Sequence, residues 1–306
     1  MKKLLTPKQV ARSIGVSESS LKRWCDKGLL PTQKTAGGHR RLTADAVIQF
    51  LRSQGHRLVE PRVMGLPSNV GSGEVVVDHA RGELLTALIE GDDACVRRVL
   101  IDLYLSRHSV CEIGDKVIAD VMHHIGHRWQ DGHIEVYRER RACEMLMRAL
   151  FELREMLPVP PVDAPCALGG TIEGDPYQLA NSLVEITLRE AGWQATSLGA
   201  SLPFATLRAA VRDARPNLVW LSVSSVGDAD DFVVEFDRFY REAEAAGVAV
   251  VVGGRGLTQD LRARISYTAF CDNLRHVVAA AAPIAAARSR PSSVTSDTER
   301  APTANG

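Results

Sequence analysis

Short apolar segments alternate with helical segments through the C-terminal half of the chain, and this alternation constrains the fold more than any other sequence feature. The apolar segments are CALGGT, QATSLG, NLVWLSV, VAVVVGG and YTAFC. Strands separated by helices are typical of βαβ units, which form parallel sheets with helices on both faces. The sequence therefore predicts a doubly wound, five-stranded parallel sheet of the flavodoxin-like kind over residues 162–287.

The segment before this region has helical periodicity. Over residues 78–158 apolar residues recur at helical spacing, with breaks near residues 91, 108 and 131. Four helices of this length predict a four-helix bundle. The preceding residues, 58–77, are rich in proline, glycine and serine and predict a flexible linker. The expected fold class is therefore multidomain, α plus α/β.

The N-terminal segment has a net positive charge that the rest of the chain lacks. Residues 1–60 contain 12 Lys or Arg and 4 Asp or Glu, a net charge of +8, and the rest of the chain carries −8. Such asymmetry indicates a segment that binds nucleic acid. The stretch TPKQVARSIGVSESSLKRWCDKGLL predicts two short helices joined by a turn at Gly15, with Ser17 capping the second. This is helix-turn-helix spacing.

DNA contacts are expected from the second helix and from a hairpin that follows it. Two glycines in TAGGHRR permit a tight turn whose tip presents cationic groups to phosphates, as a wing does. With these motifs, residues 1–57 resemble the winged helix-turn-helix of MerR-type and excisionase-like regulators. The residues expected to contact a double-stranded DNA operator are Ser17, Ser19, Ser20, Lys22, Arg23, Lys34, His39, Arg40 and Arg41.

Two helices of the bundle contain polar residues in informative positions. On a helical wheel, the apolar face of the third helix consists of Val117, Ile118, Val121, Ile125 and Trp129. The histidines of HHIGH therefore face solvent, and no metal site is expected there. In the fourth helix Glu139 falls within the apolar face. A carboxylate in that position must be paired or must face a polar cavity, and both alternatives stay open.

Three loops leave the carboxyl ends of predicted strands with small or polar residues. They are residues 175–180, 222–225 and 253–254. In an open parallel sheet, ligands bind at this edge, where the strand order reverses. The loops therefore predict a crevice that admits a large flat ligand or its side chain. Ordinary turns between strands and helices also use glycine and serine, so this alternative stays open.

The same loops carry a second resemblance. Cobalamin-binding domains of the methionine synthase and methylmalonyl-CoA mutase type have the motifs D-x-H-x-x-G, S-x-L and G-G. The chain has DPYQLA from Asp175, SVS from Ser222 and Gly253-Gly254 at similar intervals. In the bundle, WQDGHIEVYRER from Trp129 resembles the W-x9-E-H segment of cobalamin-dependent, light-responsive MerR-type repressors. The order of the three domains also resembles that family, over nearly everything except the linker and the tail.

The residues that bind cobalt in that family differ here. The histidine that the resemblance implies below the metal is Tyr177, the histidine implied on the other face is Arg140, and Ala180 replaces the glycine. A phenol with a pKa of about 10 is a poor ligand at neutral pH, and arginine cannot coordinate a metal. The expected cofactor is therefore a tetrapyrrole, with haem or a linear bilin favoured over cobalamin and no metal ligand from the protein.

The expected ligand contacts follow from these motifs. Arg140 is suited to pair with a propionate, and Cys143 is either an attachment or ligand residue or part of the core. The full set is Trp129, Glu139, Arg140, Cys143, Asp175, Tyr177, Ser222, Ser224, Gly253 and Gly254.

The sequence predicts a transcription regulator, not an enzyme, whose sensor region switches its oligomeric state and operator binding in response to ligand, light or redox state. A homo-oligomer is expected, because linking several DNA-binding domains that each bind weakly raises the avidity for DNA by about two to four orders of magnitude. Three alternatives stay open. They are a cobalamin-binding photoreceptor regulator without the lower histidine, a ligand-free dimerising regulator, and a corrinoid-type methyl-carrier protein.

The remaining expectations concern location and the tail. Six cysteines are scattered without C-x-x-C spacing, which is typical of reduced thiols in a cytoplasmic protein. The sequence has no signal peptide and no 18-residue apolar run, so no membrane contact is expected. Residues 288–306 lack apolar periodicity and are expected to be disordered.

Overall fold

Both N-terminal helices begin at side-chain caps, and the cap at Ser17 is the one that the sequence predicts. In the computed structural model, which describes residues 4–71, 75–132 and 134–288, Thr6 and Gln9 form a capping box and Ser17 accepts the Ser20 N–H. Gly15 ends the first helix with φ +76°. We call the N-terminal domain the head. It consists of β1 (Leu4–Leu5), α1 (Pro7–Ile14), α2 (Glu18–Asp26), β2 (Gln33–Lys34), β3 (Arg40–Thr43) and α3 (Ala44–Gln54), and β3 is the central strand of its antiparallel sheet.

Residues 58–71 pack against the head, where composition predicts a flexible linker. The backbone N–H of Val59 donates to the Ser13 carbonyl at 2.8 Å, and α4 (Pro61–Met64) lies against α1. The buried apolar residues of the segment are Leu58, Met64 and Val70. They lack a helical period but still find apolar partners, which is why composition alone misjudges the segment. Residues 72–74 of the predicted linker, like 289–306 of the predicted tail, lie outside the described residues.

The bundle contains four helical segments, as the sequence predicts. The third segment is continuous from Val110 to Gln130 but includes one π-helical turn. The elements are α5 (Val77–Glu90), α6 (Asp93–Leu105), α7 (Val110–Ile113), the π-helical turn (Gly114–Ile118), α8 (Ala119–Gln130) and α9 (Val136–Met156). Within the described ranges, no helix is both long and apolar enough to cross a membrane.

The apolar face predicted for the third segment is buried except at one residue. Val117, Ile118, Val121 and Ile125 are at most 1% exposed. The histidines of HHIGH are exposed, as predicted. Trp129 is 43% exposed, so its assignment to the buried face was wrong. It lies in the last turn of α8, next to the end of the helix at Gln130.

The C-terminal region forms the predicted five-stranded parallel sheet. The strands are β4 (Cys166–Thr171), β5 (Gln194–Ser197), β6 (Leu218–Ser222), β7 (Ala249–Gly253) and β8 (Ala269–Cys271), in the order β5-β4-β6-β7-β8. The helices are α10 (Leu179–Glu190), α11 (Phe204–Ala214), α12 (Ala229–Ala245), α13 (Gln259–Arg264) and α14 (Leu274–Arg288). Separate apolar clusters cover the two faces of the sheet. The doubly wound, flavodoxin-like prediction is therefore confirmed, and the order reverses between β4 and β6.

The bundle docks on the sheet region through its π-helical turn. Asp115 caps α14, because its two carboxylate oxygens accept the backbone N–H groups of Leu274 and Arg275 at 2.9 and 3.1 Å. A Cβ at Gly114 would overlap the Leu274 side chain. Glycine at this position therefore permits the close approach that puts the bundle beside the carboxyl ends of the strands.

Candidate functional site

The second helix of the head presents a polar, cationic surface. Lys22 and Arg23 are exposed, and Ser19 is exposed in the first turn. The Ser17 hydroxyl caps the helix and lies 2.8 Å from the Ser19 hydroxyl, and Ser20 accepts from Arg23 at 3.4 Å. The serines therefore stabilise the helix end, and the two cations are the side chains with the reach to contact DNA.

The wing forms as predicted, but one of its arginines is already paired. The strands β2 and β3 meet at a turn in which Gly38 has φ +76°, and Lys34 and His39 are exposed. Arg40 lies 2.6 Å from Asp26 at the end of α2. This ion pair links the wing to the second helix, but both side chains are more than one third exposed, so its contribution is about 1 kcal/mol or less. Arg41 is partly buried and donates to the Arg40 carbonyl.

Replacing Lys22 with alanine should weaken operator binding almost uniformly across DNA sequences. The side chain is exposed on α2, and removing one phosphate contact lowers the slope of log affinity against log salt concentration by about one. Fluorescence anisotropy at several salt concentrations measures both quantities. Lys116→Ala is the matched control, because that lysine pairs with Glu112 in the bundle at 3.0 Å. An unchanged slope in Lys22→Ala would remove this residue from the interface.

Asp175 joins two of the three predicted crevice loops. It is fully buried, and its carboxylate accepts the Tyr177 N–H at 3.1 Å and the Ser224 N–H at 2.5 Å. The first bond shapes the turn after β4, and the second fastens that turn to the loop after β6. In a buried site, hydrogen bonds to a charged acceptor are stronger than neutral ones. Asp175 therefore holds the edge of the crevice in place.

A buried amide and a buried indole connect the first turn of α10 to the sheet. Asn181 accepts the Trp220 indole N–H at 2.7 Å and donates to the Ser197 hydroxyl at 2.7 Å. Trp220 is 2% exposed and lies flat over Gly169 of β4, where any Cβ would overlap its ring. The glycine thus makes room for the indole.

An apolar cavity of about 190 Å³ lies at the carboxyl ends of the central strands. The predicted residues Ser222, Gly253 and Gly254 line it, and the bundle contributes Gly114 and Asp115. The two glycines also have a packing reason: a Cβ at Gly253 would contact the Cys271 carbonyl at 2.5 Å, and Gly254 has φ +108°. Backbone packing and conformation alone therefore require glycine at positions 253 and 254, whether or not a ligand enters the cavity that they line.

Arg140 and Tyr177 contact each other between the bundle and the sheet. The guanidinium carbon of Arg140 lies 5.1 Å from the centroid of the Tyr177 ring, within the cation–π range. Glu139, with 15% of its side chain exposed, lies 3.6 Å from Arg140. A flat ligand stacked between the Arg140 guanidinium and the Tyr177 ring would need a separation of about 7 Å between them, because carbon atoms pack about 3.5 Å apart. The two positions at which histidines were expected are thus in mutual contact, and we refer to them as the Arg140–Tyr177 pair.

Sequence comparison assigns two parts of the chain to known domains. A helix-turn-helix domain matches residues 4–55, and a B12 binding domain matches residues 80–154, the helical bundle. Over 297 residues the chain is 26% identical to the HTH-type transcriptional repressor CarA of Myxococcus xanthus, covering 92% of this chain and 98% of CarA. The chain is thus similar to this repressor over nearly its whole length. The HTH-type transcriptional repressor CarH of the same organism is 27% identical over 289 residues, covering 86% of this chain and 91% of CarH.

These matches establish a DNA-binding transcription regulator with a B12 binding domain. A solved structure, the monomethylamine corrinoid protein of Methanosarcina barkeri, superposes with a TM-score of 0.57. It covers 68% of this chain and all of its own, at 17% identity. At this identity the likeness shows a shared fold alone. The full-length matches to repressors favour a regulator over an enzyme.

The structure brings most of the predicted ligand contacts into two groups. The first contains Glu139, Arg140, Cys143, Asp175, Tyr177 and Ser224, which are linked by the contacts above. The second contains Ser222, Gly253 and Gly254 on the cavity wall. Trp129 is not among the cavity-lining residues of the described chain.

Several cavity residues were missed by the sequence reasoning. Asp272 and Asn273 follow β8 and line the cavity, so a fourth polar loop leaves the same edge of the sheet. The signal was available, because a polar pair after an apolar strand is the pattern that identified the other loops. Gly114, an isolated glycine in a helical pattern, was also a signal of close packing. No pattern in the sequence around Trp220 predicts where its ring lies.

The Cys143 thiol donates a hydrogen bond to the Glu139 carboxylate at 3.4 Å. Burial, reinforced by the Glu139 charge, raises the pKa of Cys143 to about 12. Thiolate is the form that binds metals and reacts with electrophiles. The geometry therefore disfavours Cys143 as an attachment or ligand residue, and supports its alternative interpretation as part of the packing.

We expect Cys143 to resist alkylation at neutral pH. With a pKa near 12 its thiolate fraction falls about three orders of magnitude below that of an unfolded cysteine. Mass spectrometry of peptides after iodoacetamide treatment measures the modification, and the same treatment in urea is the control. Rapid modification of the folded protein would contradict the assigned environment.

Proposed function

We propose that this regulator binds a corrinoid-type tetrapyrrole in the crevice between its bundle and its sheet, without an imidazole of the protein on the metal. Binding changes the assembly of the chain and thereby its affinity for the operator, with light as one candidate signal. The B12 binding domain match and the cavity at the strand ends support this proposal.

The cavity is the observation that carries the choice of ligand. Its wall is mostly apolar and its volume is about 190 Å³, and an apolar cavity of about 150 Å³ holds benzene. It therefore suits one small aromatic ring system and is too small for a whole macrocycle. Cobalamins have an aromatic base on a flexible side chain, whereas haem and linear bilins lack one. The cavity favours a corrinoid over the haem or bilin that the substituted histidines favoured.

The residues present fit the side group of a corrinoid better than its metal. Ser222 and the Gly253-Gly254 backbone would hold the aromatic group, and Trp220 forms part of the wall. Tyr177 and Arg140 offer no imidazole, so no step through a protein–metal bond is proposed. When bound, the corrinoid supplies visible absorption and sensitivity to light.

A spectroscopic experiment tests the ligand. The full chain is incubated separately with hydroxocobalamin, adenosylcobalamin, haemin and biliverdin, passed through gel filtration, and examined by absorption spectroscopy. We expect retention of the corrinoids alone. Val184→Phe, which adds bulk at the cavity wall, should reduce retention about fivefold or more, because overpacking a site costs about 1–3 kcal/mol. Val234→Phe, at an exposed position of α12, is the control.

The result has distinct outcomes. Retention of haemin or biliverdin alone would replace the corrinoid by another tetrapyrrole, and equal retention by the two valine variants would exclude the cavity. Sedimentation and operator affinity, compared between ligand-free, ligand-bound, dark and illuminated samples, test the switch in assembly. Unchanged values across all four would refute it.

A ligand-free dimerising regulator is the second candidate, and the Arg140–Tyr177 pair favours it. The pair connects bundle and sheet directly, so the sensor region needs no guest to hold them together. Retention of none of the four ligands would support this candidate. A methyl-carrier protein is disfavoured by the DNA-binding head and by the near-complete coverage of the repressor CarA.

A further inference from the structure

The DNA-binding head is attached to the bundle through α3. Gln49 donates to the Tyr104 hydroxyl at 2.9 Å and to the Met156 carbonyl at 3.2 Å. The guanidinium carbon of Arg52 lies 3.5 Å from the centroid of the fully buried Tyr104 ring. Arg52 also lies within 3.4 Å of the His108 carbonyl. The last helix of the head is therefore held in a defined orientation by α6 and α9.

A carboxylate of the sheet region joins the same contact. Glu190 lies 3.4 Å from Arg52 through one oxygen, and its other oxygen accepts the Val110 N–H at the start of α7 at 2.7 Å. The two charged side chains are 14% and 20% exposed, so solvent screens their attraction less than at an open surface. Head, bundle and sheet region thus meet at one place, which we call the three-way junction and define as Arg52, Tyr104, Val110 and Glu190.

Helix α10 connects this junction to the crevice. Its first turn contains Asn181, which is bonded to Trp220 in the cavity wall, and it follows the Asp175–Tyr177 loop. Its last residue is Glu190. Twelve residues span about 18 Å as one helix. On the way, Glu185 binds Arg154 of the bundle at 3.0 Å.

We propose that α10 couples the crevice to the DNA-binding head, with Arg52 and Glu190 as the positioning residues that transmit the state of the crevice. A ligand that displaces the first turn of α10 moves Glu190 as part of the same helix, and Glu190 then changes its contact with α3. The physical basis is one helix whose two ends contact the two sites, since rigid helices and hydrogen-bond networks can carry coupling between distant sites. The ligand experiment below rests on the proposed function, whereas the ligand-free experiment stands without it.

The ligand-free experiment uses hydrogen exchange of the full chain. Asp175→Asn perturbs the crevice, and we expect faster exchange of α3 amides at the far end of α10. In a Glu190→Gln background the same substitution should leave α3 exchange unchanged, because the connection is already broken. Glutamine keeps an acceptor for the Val110 N–H and removes the charge that faces Arg52. Equal effects of Asp175→Asn on α3 in both backgrounds, or no effect in either, would overturn the proposal.

The ligand experiment measures operator affinity with and without hydroxocobalamin. Coupling between two sites typically changes affinity by about 5- to 150-fold, and we expect a change of this size in the unaltered chain. In Arg52→Gln and in Glu190→Gln, the ratio of operator affinities with and without hydroxocobalamin should fall to about one, while the retention of the corrinoid stays unchanged. Arg57→Gln, an exposed arginine of the same segment, should retain it.

The two failures are distinguishable. If the unaltered chain retains no corrinoid, the proposed ligand fails and the hydrogen-exchange experiment still decides the coupling. If it retains the corrinoid and the two junction variants keep full coupling, α10 is not the connection.

Discussion

Replacing Trp220 with alanine should lower the free energy of unfolding of the sheet region by about 3 to 5 kcal/mol, the range for large aromatic side chains removed from a core. The ring is 2% exposed and lies between β4 and the cavity. Its removal also leaves the buried Asn181 oxygen without the donor it has at 2.7 Å, and an unpaired buried polar group adds to the cost. Hydrogen exchange of the β6 amides in increasing urea measures the change.

Two further variants separate the causes of this loss. Trp220→Phe keeps a six-membered aromatic ring but removes the N–H donor together with the five-membered ring that carries it, so we expect a smaller loss of about 1 to 3 kcal/mol. Val234→Ala, at an exposed position of α12, should change stability by less than about 0.5 kcal/mol. Equal stability of Trp220→Ala and Val234→Ala would show that the indole does not pack as described.

Replacing Asp175 with asparagine should loosen the crevice and destabilise its loops. The carboxylate accepts two backbone N–H groups, from Tyr177 and Ser224. An amide has one acceptor oxygen and presents donors on its other side, so one buried N–H loses its partner. We expect a cost of about 1 to 3 kcal/mol. Faster exchange of the Tyr177 and Ser224 amides should accompany it, with the strands β4 and β6 affected less.

The matched control for this substitution lies in the same loop. Glu173 is exposed, and Glu173→Gln makes the same change of charge without a buried partner. We expect no measurable change in stability or in exchange at Ser224. If both variants behaved alike, the bond between the two loops would have no structural importance.

The strands and the bundle helices were predictable because their signals are local. Four of the five strands of the parallel sheet are short apolar runs, and their alternation with helices predicts that the strands are parallel. The capping residues Thr6 and Ser17 also act within one helical turn. The domain boundaries, by contrast, stay predictions, and the packing of residues 58–71 shows how composition can misplace a linker.

The contacts that define the site were not predictable, because they join residues far apart in the chain. Arg140 and Tyr177 were each recognised as substitutions, but nothing local indicates that they meet. The same holds for Arg52 and Glu190, which lie 138 residues apart. Asp175 was expected to contact a ligand, and in the structure it accepts hydrogen bonds from two backbone donors. A buried carboxylate finds donors wherever the fold supplies them.

The Arg140–Tyr177 pair has a consequence for the sensitivity of any sensor built on this chain. A flat guest that enters between the two side chains must first separate them by about 2 Å, the difference between their 5.1 Å spacing and the roughly 7 Å required. The apparent dissociation constant then equals the intrinsic one divided by the fraction of molecules in which the pair is open. The pair therefore raises the ligand concentration that is needed for binding, and a ligand present well below that concentration does not bind. Removing either side chain lowers the apparent dissociation constant.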